Sequence, residues 1–145
     1  MDTEMIRNLL YVKSDSDVAA SLSVCTESPV LHVYAYNYNW NNGFKVPQII
    51  VDNPACSLGT ALMLFYLADG FRYLTEKDVD SAIPDWLEFV SGLYRRIIAG
   101  AFADRSIGFE VPLSKVQIFK LKKQLADYEQ VFISSIEGED YNITL

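Results

Sequence analysis

Two cysteines, one histidine, seven glycines and five prolines are few among 145 residues, and each shortage excludes something. A single possible pair, Cys25 with Cys56, is not the staple framework of a small secreted domain, so both are expected as free, buried thiols. Three scattered soft ligands without CxxC or HxxxH spacing supply no structural zinc site, and no metal or cofactor is expected. GxGxxG, GxxxxGK[ST] and HExxH are all absent, which removes the familiar phosphate cradles and the metalloprotease helix. The longest apolar run, Ala61 to Ala68, falls far below the ~20 residues that span a bilayer. The opening MDTEMIRNLLYVKSDSD is acidic from its second residue and has no continuous apolar stretch, so no secretory signal is expected and a cytoplasmic protein is.

Positive charge is also scarce. Twelve basic residues oppose nineteen acidic ones, for a formal net charge of −7. Such a surface repels phosphate backbones and anionic lipid, so nucleic acid and membrane are not the expected partners, whereas a basic protein would be attracted. Half of the residues are hydrophobic and 13% are aromatic, which rules out a disordered chain and predicts one core of ordinary domain size over residues 1–145.

Apolar residues recur mainly at three- and four-residue spacing, so the expected fold class is all-α, a bundle or short stack of about six helices. The first spans about Thr3 to Val12. The second follows the SDSD cluster, whose side chains suit a helix start. A third begins near Pro29 and carries Val30, Val33, Ala35 and Tyr36, although its β-branched content also allows a strand. VPQIIVD forms a short helix with Pro47 in its first turn, and Asn53-Pro54 repeats that start signal. ALMLFYLADGFRYL, apolar nearly all round, reads as the enclosed core helix, interrupted at Asp69 and Gly70. After the polar connection TEKDVDSA, Pro84 and Asp85 open DWLEFVSGLYRRIIAGAF. The last helix starts at a Ser114–Gln117 capping box, with Leu121, Leu125, Tyr128, Phe132 and Ile136 along one face. Residues 137–145 are expected to fray.

Candidates for chemistry are few. Cys25 or Cys56 with His32 is the one conceivable nucleophile and base, but the spacing matches no known geometry and a lone histidine on an apolar segment is usually structural. No catalytic residue is assigned. The acidic group Glu76, Asp78, Asp80 and Asp85, extended by Glu88 and placed beside Trp86, is the candidate partner-binding patch: an aromatic anchor within a charged rim is a common interface arrangement. The amide-rich NYNWNNGF reads as a corner. Asn41-Asn42-Gly43 tolerates left-handed backbone, and Trp40 and Phe44 can point inward to pin the turn.

An ordered succession of Asn-Trp-x-x-Gly-Phe, Asn-Pro-x-Cys and Gly-Thr-Ala-Leu, ending in Ala-x-Gly, makes residues 32–74 resemble an uncharacterised bacterial domain family. That resemblance implies no activity. In size and acidity the chain is also similar to the immunity proteins of bacterial polymorphic-toxin and contact-dependent inhibition systems, a likeness that assigns no residue. The leading expectation is therefore a non-enzymatic immunity protein that neutralises a cognate basic toxin, a nuclease. A helical adaptor for another protein is the alternative, and a Cys/His hydrolase stands third.

Overall fold

The computed structural model describes residues 1–79 and 82–145. Eight α-helices follow one another among them: α1 (Thr3–Tyr11), α2 (Asp15–Val24), α3 (Ser28–Tyr36), α4 (Lys45–Asp52), α5 (Leu58–Leu67), α6 (Gly70–Thr75), α7 (Pro84–Ile98) and α8 (Lys115–Gln124). Short 3-10 turns cover Trp40–Asn42 and Asp127–Ile133. The fold is all-helical, and no strand is present among the described residues, where isolated bridges join Ile107 to Glu139 and Phe109 to Ile136.

Helix α5 occupies the centre because its sequence offers no polar face: Leu58, Gly59, Thr60, Ala61, Leu62, Leu64 and Phe65 are all buried. It packs on α3, α6 and α7. Ser57 caps it by accepting a hydrogen bond from the Thr60 amide at 3.1 Å. Gly59 permits an unusually close approach, since a Cβ there would lie 2.5 Å from the Ile107 carbonyl oxygen. The irregular segment 104–109 can thus lie directly across the start of α5, where Leu58 donates its amide to the Asp104 carbonyl.

Helix α7 shows the amphipathic spacing most plainly. Trp86, Phe89, Val90, Leu93, Tyr94 and Ile97 are buried, at intervals of three and one that keep a single face inward. Gly100, at φ +72°, ends it in the left-handed conformation, so the helical run stops short of Phe102.

The core stretch after Ala61 is broken where expected, at Asp69 and Gly70, with Asp69 in the left-handed region at φ 61° between two helices. Three expectations need correction. Asn53-Pro54 starts no helix: Asn53 closes α4, and its buried side-chain amide donates to the carbonyls of Leu22 and Cys25, 2.8 Å each. It thereby caps the end of α2 against the α4–α5 turn. The last helix breaks after Gln124, and Tyr128, expected on its buried face, is 63% exposed. The tail is tied down rather than frayed. Leu145 donates its amide to Asn37 Oδ1 at 2.9 Å and accepts from the Tyr11 hydroxyl at 3.0 Å, and the Asn37 amide reaches the Ile143 carbonyl at 2.7 Å.

The corner is built as its composition suggests. Asn39 caps the 3-10 turn, Gly43 takes φ +87°, and the Tyr38 hydroxyl donates to the Gly43 carbonyl at 2.7 Å. Trp40 and Phe44 lie against Phe89 of α7, with ring centroids 6.2 and 5.5 Å away.

Candidate functional site

The acidic patch falls on the connection from α6 to α7. Glu76 ends α6, Asp78 follows in the connection, and Asp85 and Glu88 lie in the first turns of α7; all four are exposed. Asp80 lies outside the described residues. The connection's own cations are turned to other uses. Arg72 sits over the Trp86 ring at 5.2 Å and pairs loosely with Glu76 at 3.7 Å. Lys77 reaches inward to Glu129, Nζ to Oε2 at 2.6 Å. Among the described residues, Asp78, Asp85 and Glu88 have no ion-pair partner.

Trp86 does not join them at the surface. It is 7% exposed, and its indole N–H donates to the Ala68 carbonyl at 2.6 Å. A partner meeting this patch therefore meets carboxylates on a backbone that Trp86 holds from below, and the expected aromatic anchor is a core residue.

Glu129, which sequence reasoning left unnoticed and which lies in the 3-10 turn after α8, organises the patch from inside. Only 3% exposed, it accepts from Lys77, from the Tyr94 hydroxyl at 2.5 Å and from the Ala126 amide at 3.0 Å. Burial alone would raise its carboxyl, but these donors and the Lys77 charge outweigh burial and hold it below the ordinary glutamate value. Tyr94 pays the reverse effect: burial and the neighbouring carboxylate push its phenol far up.

His32 is fully engaged. One ring nitrogen, Nδ1, lies 2.9 Å from Thr60 Oγ1, and the other, Nε2, lies 2.8 Å from Asn142 Oδ1. An amide oxygen can only accept, so Nε2 carries the proton and Nδ1 accepts from Thr60, whose oxygen in turn accepts from Ser57 at 3.0 Å. Burial is the main reason that the imidazole is held below its usual pKa of 6.5, against the opposing Asn142 contact and Asp140 charge. A neutral ring thus joins α3, α5 and the C-terminal tail.

Neither cysteine shares a hydrogen bond with His32. The Cys56 sulfur lies 3.6 Å from the Ser57 carbonyl, and burial pushes its thiol up to about 12, away from reactivity at neutral pH. Cys25, half-buried, lies against the Glu27 carbonyl. Above His32 opens a cleft of about 410 Å³, walled by Tyr36, Met63, Leu67, Phe71 and Phe109 and carrying one carboxylate, Glu110.

No helix among the described residues is long and apolar enough to cross a membrane. No curated protein and no solved structure matches the chain. A family model does match, over residues 26–98, the stretch from the start of α3 to the end of α7 that contains the corner, the central helix and the acidic connection. The resemblance at residues 32–74 lies wholly inside it, and the chain belongs to the family described as a domain of unknown function (DUF4274).

Proposed function

We propose that the protein is a cytoplasmic immunity protein that binds a cognate basic toxin, a nuclease, and blocks its cationic substrate surface without chemistry of its own. The observation that carries this reading is the division of charge at the α6–α7 connection. Arg72 is laid over Trp86 and Lys77 is drawn onto buried Glu129, while Asp78, Asp85 and Glu88 are exposed and, among the described residues, without an ion-pair partner. Four of the twelve cations sit on α8, which leaves the rest of the surface more acidic than the net charge of −7 conveys.

Exposed carboxylates on a fixed frame raise the association rate with a cationic cleft and disfavour acidic competitors. They resemble the charge that such a toxin meets on its nucleic-acid substrate. The experiment is co-expression with the product of the adjacent upstream gene. Protection of growth and copurification as a complex support the reading; unchanged toxicity with no complex contradicts it. A helical adaptor is the second reading, favoured by the apolar cleft with exposed Leu67 and Tyr36 at its walls.

A further inference from the structure

A second, smaller pocket of about 250 Å³ lies where the α1–α2 turn, the start of α2 and α3 meet the asparagine-rich corner. It is below the 300–1,000 Å³ typical of drug-sized ligand sites, which restricts it to a small metabolite. Its lining mixes both charges. Lys13, Lys45, Asp15 and Asn42 all line it, and among the described residues neither lysine takes part in an ion pair.

Tyr34 is the informative member. Its side chain is buried, 4% exposed, yet among the described residues its hydroxyl makes no hydrogen bond, unlike that of neighbouring Tyr38, which is committed to Gly43. Trp40 Nε1 is the one buried side-chain polar atom that is both unpaired and sealed from solvent among the described residues. The Tyr34 hydroxyl is therefore open to the pocket that it lines. A hydroxyl that is open at a pocket wall and unpaired among the described residues is free to donate to a ligand there.

We propose that this pocket binds an acidic α-amino acid, aspartate or glutamate, with its two carboxylates toward Lys13 and Lys45 and its ammonium group toward Asp15. Two positive groups and one negative one match a ligand with two negative groups and one positive one, and the Tyr34 hydroxyl donates to a carboxylate. The corner that sequence composition marks only as a turn then supplies one side of a site through Asn42 and Lys45. This inference is independent of the acidic connection, and its failure would leave the toxin-binding reading untouched.

Isothermal titration of the intact protein with L-glutamate, L-aspartate and glutarate tests it. Saturable one-to-one binding of one of the amino acids is expected, with glutarate, which lacks the ammonium group, bound more weakly. Tyr34→Phe removes only an unpartnered hydroxyl, so the variant should melt like the wild type while its affinity falls by about tenfold or more, the effect of losing a hydrogen bond to a charged group. Asp15→Asn should abolish the preference for glutamate over glutarate. Absence of saturable binding to either amino acid at millimolar concentrations overturns the proposal, as does undiminished affinity in folded Tyr34→Phe. Equal affinity for glutarate and glutamate in the wild type removes the amino-acid assignment.

Discussion

Lys77 Nζ lies 2.6 Å from Oε2 of Glu129, joining a half-exposed lysine in the α6–α7 connection to a carboxylate that is 3% exposed beneath it. The contact fixes an otherwise polar segment to the 3-10 turn at Asp127–Ile133, and it removes a positive charge from the acidic surface.

Lys77→Met should therefore destabilise the protein by ~1–2 kcal/mol, a hydrogen bond to a charged group discounted for the exposure of the lysine, with Tyr94 and Ala126 still holding the carboxylate. Urea unfolding monitored by circular dichroism measures it. An unchanged midpoint would show that the connection is not fastened through Glu129.

The same site sets an acid limit. Because the folded carboxyl of Glu129 is held below its ordinary value of 4.5, its contribution is complete above that pH and is lost as pH falls through the lowered folded value. Glu129→Gln should flatten this part of the stability profile below about pH 4.5, and a profile identical in shape to that of the wild type would contradict the linkage.

His32 acts at milder acidity. Its imidazole is held neutral below the usual 6.5, so the unfolded chain takes up a proton that the folded one resists, and stability should decline as pH falls below 6.5. Comparing urea midpoints from neutral pH down to about pH 5 for the wild type and His32→Gln isolates the effect: the variant should lack the loss in that window.

Trp40 distinguishes packing from hydrogen bonding. Its ring makes edge contacts with Tyr38, Phe44 and Phe89, with centroids 5.4, 6.0 and 6.2 Å away, while its buried N–H has no partner among the described residues. Trp40→Ala should cost ~3 kcal/mol through lost packing. Trp40→Phe should stay within ~1 kcal/mol of the wild type, since losing the unpaired N–H offsets the smaller ring. Thermal melts that show Phe as damaging as Ala would mean that the indole nitrogen is paired.

Features with a local cause were legible in the sequence. The capping box forms, with Ser114 and Gln117 bonding reciprocally at 3.1 and 2.9 Å, and Phe89, Val90, Leu93 and Tyr94 follow the spacing that buries them. What was missed depends on partners far along the chain. Asn142 is held by His32, 110 positions earlier, so a polar tail with no local structure is anchored by contacts that composition cannot show. Glu129 makes the same point in the 3-10 turn at Asp127–Ile133, where the last helix was expected to continue. No proline or glycine marks the break after Gln124; the break accompanies a buried carboxylate that meets Lys77, Tyr94 and the Ala126 amide at once. Trp86 was misplaced because an aromatic beside acids fits a rim anchor and a core residue equally well, and only the Ala68 carbonyl decides between them.

The most direct test of the proposed function is the association rate between the protein and the proposed toxin, sought as the product of the adjacent upstream gene, measured at low and high salt for the wild type and for Asp78→Lys/Asp85→Lys/Glu88→Lys. Salt screens such charges over ~8 Å at physiological ionic strength, and exposed charges add little to folding, so the triple variant should remain folded. The wild type should associate rapidly at low salt and more slowly at high salt, and the variant should be slow at both. Equal, salt-independent rates for the two proteins would contradict the assignment of the α6–α7 connection as the toxin-binding surface.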